Sequence, residues 1–418
     1  MADMKSIRLN NNKSTLPGKF LYTLAVVCIY LLGRNVPLPW IVSATENSVD
    51  SLFAYTASIL GTDAGQGSIF SLGISPYVTS MIIIQLLFAL FRKPGIIISK
   101  VFMRRITLII TLFLAVIQSF SLLGQLTLRE DAFPYMWQTA AATVITLIGG
   151  TFVIIFLSEC ITENGLAGTS ALILVNILTT FMHNLLSYFN EPQWTDITDE
   201  TVIFYGVLPA VYVVFIVFST VLFEQSEFRI PVYRVMINNN LADENYIAIK
   251  LNPSGTMSVM FAMTFFMLPG YFVGALIKIW QEQPVLVAIQ NVFNLNNYVG
   301  IAIYLMIVVL LNYSFSFIML NPSELSKQFM EGGDCIAGLR PGKETLKYIK
   351  KCIRFCLVPS SIMQCVIVGI PLFIKAANGS DSKIFQMPIT VIILTGILLK
   401  VFEEIRVIRN FRDYKAFL

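Results

Sequence analysis

The sequence predicts an all-α protein threaded repeatedly through a membrane. Hydrophobic residues make up 56% of the 418 and charged residues 13%, and mean hydropathy is +0.72. Soluble domains average about 25% charged residues, so the composition excludes an ordinary soluble fold. Apolar runs long enough to cross a bilayer recur along the whole chain, and Lys and Arg gather in alternate connections between them.

The runs lie at about 20–40, 69–91, 105–126, 137–158, 166–189, 203–223, 255–277, 298–319, 352–375 and 386–402, which makes ten spans. The second belongs to the stretch SIFSLGISPYVTSMIIIQLLFALF, Ser68 to Phe91, whose first third carries Gly73, Ser75 and Pro76. An anchor gains nothing from a Gly and a helix-breaking Pro near one end, so this helix is expected to start irregularly beside a cavity. Ile74 and Val78, four residues apart, share the face expected to line a pore. Pro253 and Gly255 open the seventh span and Pro388 the tenth, and three irregular starts point to a central cavity. Between the first two spans, SLFAYTASILG (Ser51 to Gly61) is apolar but too short to cross. It reads as a re-entrant or plug-like helix; the alternative is a helix resting on the outer surface.

Orientation follows from the basic residues. With the N-terminus inside, 24 of the 29 Lys and Arg fall in cytoplasmic segments, and Arg34, Arg129, Lys278, Lys375 and Lys383 remain outside. Both termini are then cytoplasmic. The first 20 residues lack an apolar core followed by a cleavage site, so no cleaved signal peptide is expected. Two cytoplasmic loops are long. Phe223 to Asn252 has two alternating stretches around Asn238, Asn239 and Asn240, a hairpin pattern. Asn321 to Lys351 contains GLRPGKETLKYIKK, in which Pro341 and Gly342 make a turn that presents Arg340, with Lys343 following. Projecting charge of this kind suits a cytoplasmic partner; loops that only join helices are the alternative.

Several chemistries are excluded. Midplane charges of the kind a proton- or ion-coupled transporter uses are nearly absent from the spans. The single histidine, His183, reads as interfacial, and no HExxH, GxSxG or phosphate-binding GK[ST] loop occurs, so the chain is not read as an enzyme and no cofactor is implied. Cys28, Cys160, Cys335, Cys352, Cys356 and Cys365 do not form a secreted disulfide framework, and Cys352 with Cys356 reads as packing rather than a metal pair. Mild polar side chains remain inside: Gln85, Asn176, Asn312 and Ser314. They read as interhelical hydrogen bonds, or, for Gln85 and Asn176, as a polar contact closing a lateral gate.

The motifs LGISPYVTSMIIIQLL (Leu72 to Leu87), NVPLPWI (Asn35 to Ile41), SECITENGLAGTS (Ser158 to Ser170), FRIPVY, IKLNPSG, NPSELSKQF and GLRPGKETLKYI together resemble the SecY and Sec61 alpha protein-conducting channels, in order and over nearly the whole chain. The resemblance implies ten helices in two pseudo-symmetric halves of five around a central pore, with a short plug helix. The chain then divides into a cytoplasmic segment 1–19, an N-terminal half 20–189 with the plug at about 51–61, an external loop 190–202, a C-terminal half 203–406 with loops at about 223–252 and 321–351, and a tail 407–418. The implied pore ring is Ile74, Val78, Ile173, Ile177, Met257 and Ile392, with Leu174 and Leu178 as the other register on the fifth span. Arg229, Tyr233, Arg234, Arg340 and Lys343 would engage a SecA-type motor ATPase or a ribosome. Small Sec or accessory Sec subunits, a secretory preprotein and membrane lipid are the other implied partners, and nucleic acid is not. The shortened ENGLAGTS motif, the opening prolines and the brief tail are more similar to the accessory SecY of certain Gram-positive bacteria, which exports serine-rich glycoprotein adhesins, than to a housekeeping copy. A housekeeping channel and, from another class, a secondary transporter with inverted repeats are the competing readings.

Overall fold

The computed structural model describes residues 16–44, 67–91, 99–123, 126–128, 135–189, 206–234, 246–279, 292–336, 338–340, 342–378, 385 and 387–415. The candidate plug, 51–61, lies outside the described residues. The helices are α1 (Leu16–Arg34), α2 (Ser75–Phe91), α3 (Lys100–Leu123), α4 (Met136–Asn164), α5 (Thr169–Phe189), α6 (Leu208–Gln225), α7 (Met257–Ile279), α8 (Tyr298–Leu320), α9 (Pro322–Gly332), α10 (Lys343–Asn378) and α11 (Met387–Lys415). Among the described residues, seven helical segments are long and apolar enough to cross a membrane, and two more apolar ones, Ser75–Phe88 and Met257–Gly270, are shorter.

Strands are few. β1 (Ile41–Ala44) pairs antiparallel with β2 (Leu126–Leu128). At the opposite end, β3 (Glu227–Arg234) pairs with β4 (Tyr246–Lys250), from Glu227 against Lys250 to Pro231 against Tyr246, as the hairpin pattern predicts. β5 (Asp334–Ile336) adds to the other edge of β3, an association no local pattern announced, so the two long loops form one three-stranded sheet. That sheet has its own apolar core. Ile230, Ile249, Phe329 and Ile336 pack against Ile349, Cys352, Ile353 and Cys356 of α10, so both cysteines are core residues.

The start of α2 explains the Gly and the Pro. Pro76 sits in the first turn of the helix, where its missing N–H costs no hydrogen bond. Residues 69–74 precede it as consecutive turns, with Gly73 at φ +61°, a conformation favouring Gly. These turns are buried, which is the condition for non-helical backbone at membrane depth. NVPLP runs beside them: the Leu38 N–H donates to the Gly67 carbonyl at 2.9 Å and the Ile69 N–H to the Val36 carbonyl at 3.2 Å. α4 passes so close that a Cβ at Gly150 would stand 2.2 Å from the Ile69 carbonyl oxygen. The α4–α5 turn (Ala167 at φ +64°, Gly168 at φ +50°) and the approach to α7 (Gly255 at φ +58°) are likewise irregular. Pro388 is the second residue of α11.

Candidate pore and its mouth

The starts of α2, α5, α7 and α11 converge on one apolar cluster. Ile74 and Ile177 are fully buried, and Val78, Ile173 and Ile392 nearly so; Met257 packs against them partly buried. Leu174 is half-buried at the margin of this cluster, and Leu178 is 45% exposed on another face of α5. A closed seam of branched aliphatic side chains leaves a polar permeant no hydrogen-bonding partner, so it disfavours water and ions while opposing an apolar chain only by packing.

Below the seam, toward the end at which α2 finishes, lies a cavity of about 250 Å³. Val78, Ile173, Met257, Met260 and Ile393 form its apolar wall, and Gln85, Thr162 and Ser170 supply polar groups. Of the candidate gate pair, Gln85 therefore faces the cavity. Asn176 is committed elsewhere: its Oδ1 accepts from the Tyr30 hydroxyl at 2.7 Å and from Arg34 Nη1 at 3.2 Å, both on α1. Arg34, assigned by its position to an outer connection, is the last residue of α1 and is buried. Asn312 joins helices too. Ser254 donates to its Oδ1 at 2.5 Å, and its Nδ2 donates to Ser361 on α10 at 3.0 Å. Beside it, Gln364 donates to the Gly255 carbonyl and accepts from Ser258, both at 3.2 Å.

The mouth holds a set of charges that sequence reasoning did not assemble. Glu224, in the last turn of α6, is buried, and its Oε1 accepts from the Thr256 N–H at 2.9 Å, at the start of α7. A carboxylate at a helix N-terminus satisfies an orphan donor and faces the positive end of the helix dipole. A Cβ at Gly255 would stand 2.9 Å from Glu224 Oε1 and 3.9 Å from Lys400 Cε, so carboxylate and lysine stem flank one point, where only Gly leaves room. Lys400 Nζ is buried there and hydrogen-bonds no described residue. One turn on, Glu403 pairs with Lys250 of β4 at 2.7 Å, and Glu404 accepts from the Ala167 N–H of the α4–α5 turn at 3.0 Å. A single turn of α11 thus touches the α6–α7 junction, the hairpin and the α4–α5 turn. The only sequence signal was three charges, Lys400, Glu403 and Glu404, at a span end; their partners lie far away along the chain.

The candidate docking residues are on the same side. Arg229 on β3 is exposed, its guanidinium carbon 4.5 Å from the centre of the Tyr246 ring. Tyr233 and Arg234 pair through their backbones with Cys335 and Asp334; their side chains lie outside the described part. Arg340 and Lys343 are exposed. Side chains hold the backbone of the Arg340 loop: Thr345 Oγ1 donates to the Arg340 carbonyl at 2.9 Å, the Arg340 N–H donates to Glu344 at 3.3 Å, and Ser326 donates to the Gly342 carbonyl at 2.8 Å. A fixed backbone carrying an exposed guanidinium is a preorganised contact.

Known proteins resemble this chain in sequence and in fold. An accessory Sec system protein translocase subunit SecY2 of Streptococcus parasanguinis is 28% identical over 411 residues, covering 96% of this chain and 97% of the relative. Its namesake from Streptococcus agalactiae serotype Ia is 29% identical over 412 residues, covering 97% and 96%. A solved structure described as that of a protein conducting channel superposes with a TM-score of 0.62 at 17% identity, over 94% of this chain and 93% of that one. The family model for SecY matches residues 68–403, and the chain therefore belongs to the SecY family.

Proposed function

We propose that this chain is the central pore subunit of an accessory-Sec-type protein translocase. It passes unfolded polypeptide through the aliphatic seam, driven by a partner SecA-type ATPase, and the substrate class that the accessory reading favours is the serine-rich glycoprotein adhesins. One observation carries the pore reading: branched aliphatic side chains from the starts of α2, α5 and α11 meet one another and Met257 of α7 where helices start irregularly, directly above a cavity. The accessory assignment draws on near full-length similarity to the two streptococcal subunits.

On this reading ten helices cross the bacterial plasma membrane in two halves, α1–α5 and α6–α11 without α9. The packing supports it: α2 lies on α3 and α3 on α4, as α7 lies on α8 and α8 on α10, and α1 meets α5 as α6 meets α11. α7 packs on α2 and α3, and α8 on α2, so the seam between these pairs is the candidate lateral gate. An apolar segment entering it gains about 25 cal/mol per Å² on reaching lipid. The plug would occupy 51–61, in the connection that ends at the turns before α2. Both termini are cytoplasmic, the ATPase engages the β3–β4 hairpin and Arg340, and small accessory subunits complete the assembly.

A photo-crosslinking residue at Ile74 tests this. It is expected to capture an arrested export substrate in energised membranes containing the full complex. Capture of the substrate only from positions on the lipid-facing side of α6, with none at Ile74, Ile177 or Met257, overturns the pore assignment.

A further inference from the structure

Away from the pore, α8 and α10 leave a groove of about 690 Å³ between them, walled by Val309 and Tyr313 of α8 and by Leu357, Val358, Ser361 and Cys365 of α10. It is almost wholly apolar and opens outward, with Val358 59% exposed at its rim. Arg354 closes one end, and from Arg354 to Phe373 at the other the groove runs about 28 Å, the thickness of a bilayer's hydrocarbon core. The groove's volume lies within the ligand-site range of about 300–1,000 Å³.

The charges choose the ligand. At 3.6 residues per turn, Lys347, Lys350 and Lys351 fall within about 60° of Arg354, so the stripe that lines the groove continues past Arg354 as two turns of cations. Lys347, Lys351 and Arg354 are exposed, and none of the four pairs with a carboxylate among the described residues. They span about 10 Å along the axis, the depth of a headgroup layer and a little beyond, and Cys365 lies about 16 Å further in than Arg354, the depth of one leaflet's hydrocarbon. Cationic pockets at the cytoplasmic ends of transmembrane helices attract anionic headgroups, at about 1 kcal/mol per basic residue near the surface.

We propose that the groove between α8 and α10 is a binding site for one anionic phospholipid of the cytoplasmic leaflet, its headgroup held by Arg354 and Lys351 and an acyl chain lying along Val358, Ser361 and Cys365. This rests on the reading that α10 crosses the membrane with its N-terminal end in the cytoplasm, and it needs no translocation for its test. The full chain, in its native assembly, is extracted from vesicles of phosphatidylglycerol and phosphatidylcholine, and retained lipid is measured by native mass spectrometry. Phosphatidylglycerol is expected to be retained at one per chain, at least tenfold over phosphatidylcholine. Arg354→Gln with Lys351→Gln is expected to abolish the preference. Val358→Trp and, separately, Ser361→Phe fill the groove without touching charge and are expected to displace the lipid, with thermal unfolding of each variant confirming that it folds. Equal retention of both lipids overturns the proposal, as does unchanged retention in both groove-filling variants, which makes the cations a general membrane-surface attraction. Crosslinking of a protein subunit from Ile362, in place of lipid, also overturns it. The Ile74 crosslink fails or succeeds independently of every one of these outcomes.

Discussion

Glu224 and Lys400 offer the sharpest test of how the mouth is held together. Glu224→Gln keeps the shape and an oxygen for the Thr256 N–H but removes the charge beside the buried Lys400 Nζ. Breaking a buried ion pair costs about 3–5 kcal/mol because the remaining charge stays desolvated; Glu224 and Lys400 flank one buried point with no hydrogen bond between them, so that range is an upper bound here. Here the lower end applies, since the neighbouring Lys250–Glu403 pair is 41% and 56% exposed and water is near. Unfolding entropy of about 2.1 cal/mol/K per residue gives roughly 0.9 kcal/mol/K for 418 residues, so a 3 kcal/mol loss lowers Tm by about 3 °C. Adding Lys400→Met removes the stranded charge and is expected to return most of that loss, because no uncompensated charge then stays buried. The assay is a double-mutant cycle of thermal unfolding in detergent at one scan rate. If the double variant falls by the sum of the two single losses, the residues are uncoupled and the bracket at the mouth is wrongly drawn.

Four further outcomes follow from the same contacts. Gly396→Ala places a Cβ 1.7 Å from Thr256 Oγ1 and forces α11 from the start of α7; overpacking of this kind costs about 1–3 kcal/mol, read as a lowered Tm that Thr256→Ala in the same chain partly restores. Asn312→Leu strands Ser254 and Ser361 and is expected to cost about 1–3 kcal/mol, whereas a solvent-facing Asn would cost almost nothing on the same melt. Ile74→Ser with Val78→Ser is expected to raise anion leak through proteoliposomes several-fold in a dye-quenching assay, with no rise if the seam is not the barrier. Arg340→Ala touches an exposed side chain, so stability stays within about 0.5 kcal/mol. Export with the partner ATPase should nevertheless drop at least tenfold; wild-type export from this variant removes Arg340 from the docking surface.

Local pattern and tertiary structure contributed differently along the chain. Length and hydropathy announced the helices because a membrane span must satisfy its own backbone, which leaves a long apolar run as its signature. Gly73, Pro76 and Pro253 marked irregular helix starts for an equally local reason, the φ restriction each residue carries. The hairpin at Phe223 to Asn252 was legible from alternation, but β5 joining β3 was not, because edge pairing across about 100 residues leaves no periodic trace.

Asn176 is the instructive case. Its type predicted an interhelical hydrogen bond, and its type alone offered Gln85 as a partner; packing of α5 on α1 gave it Tyr30 and Arg34 instead. Glu224 and Lys400, 176 positions apart, carried no hint of each other. The sequence by itself determined the class of protein, the helices, their irregular starts and the greasy character of the α2 face. Which polar and charged groups meet was decided only by the tertiary structure, since burial makes a charge costly until a partner arrives, and that partner comes from whichever helix packs alongside.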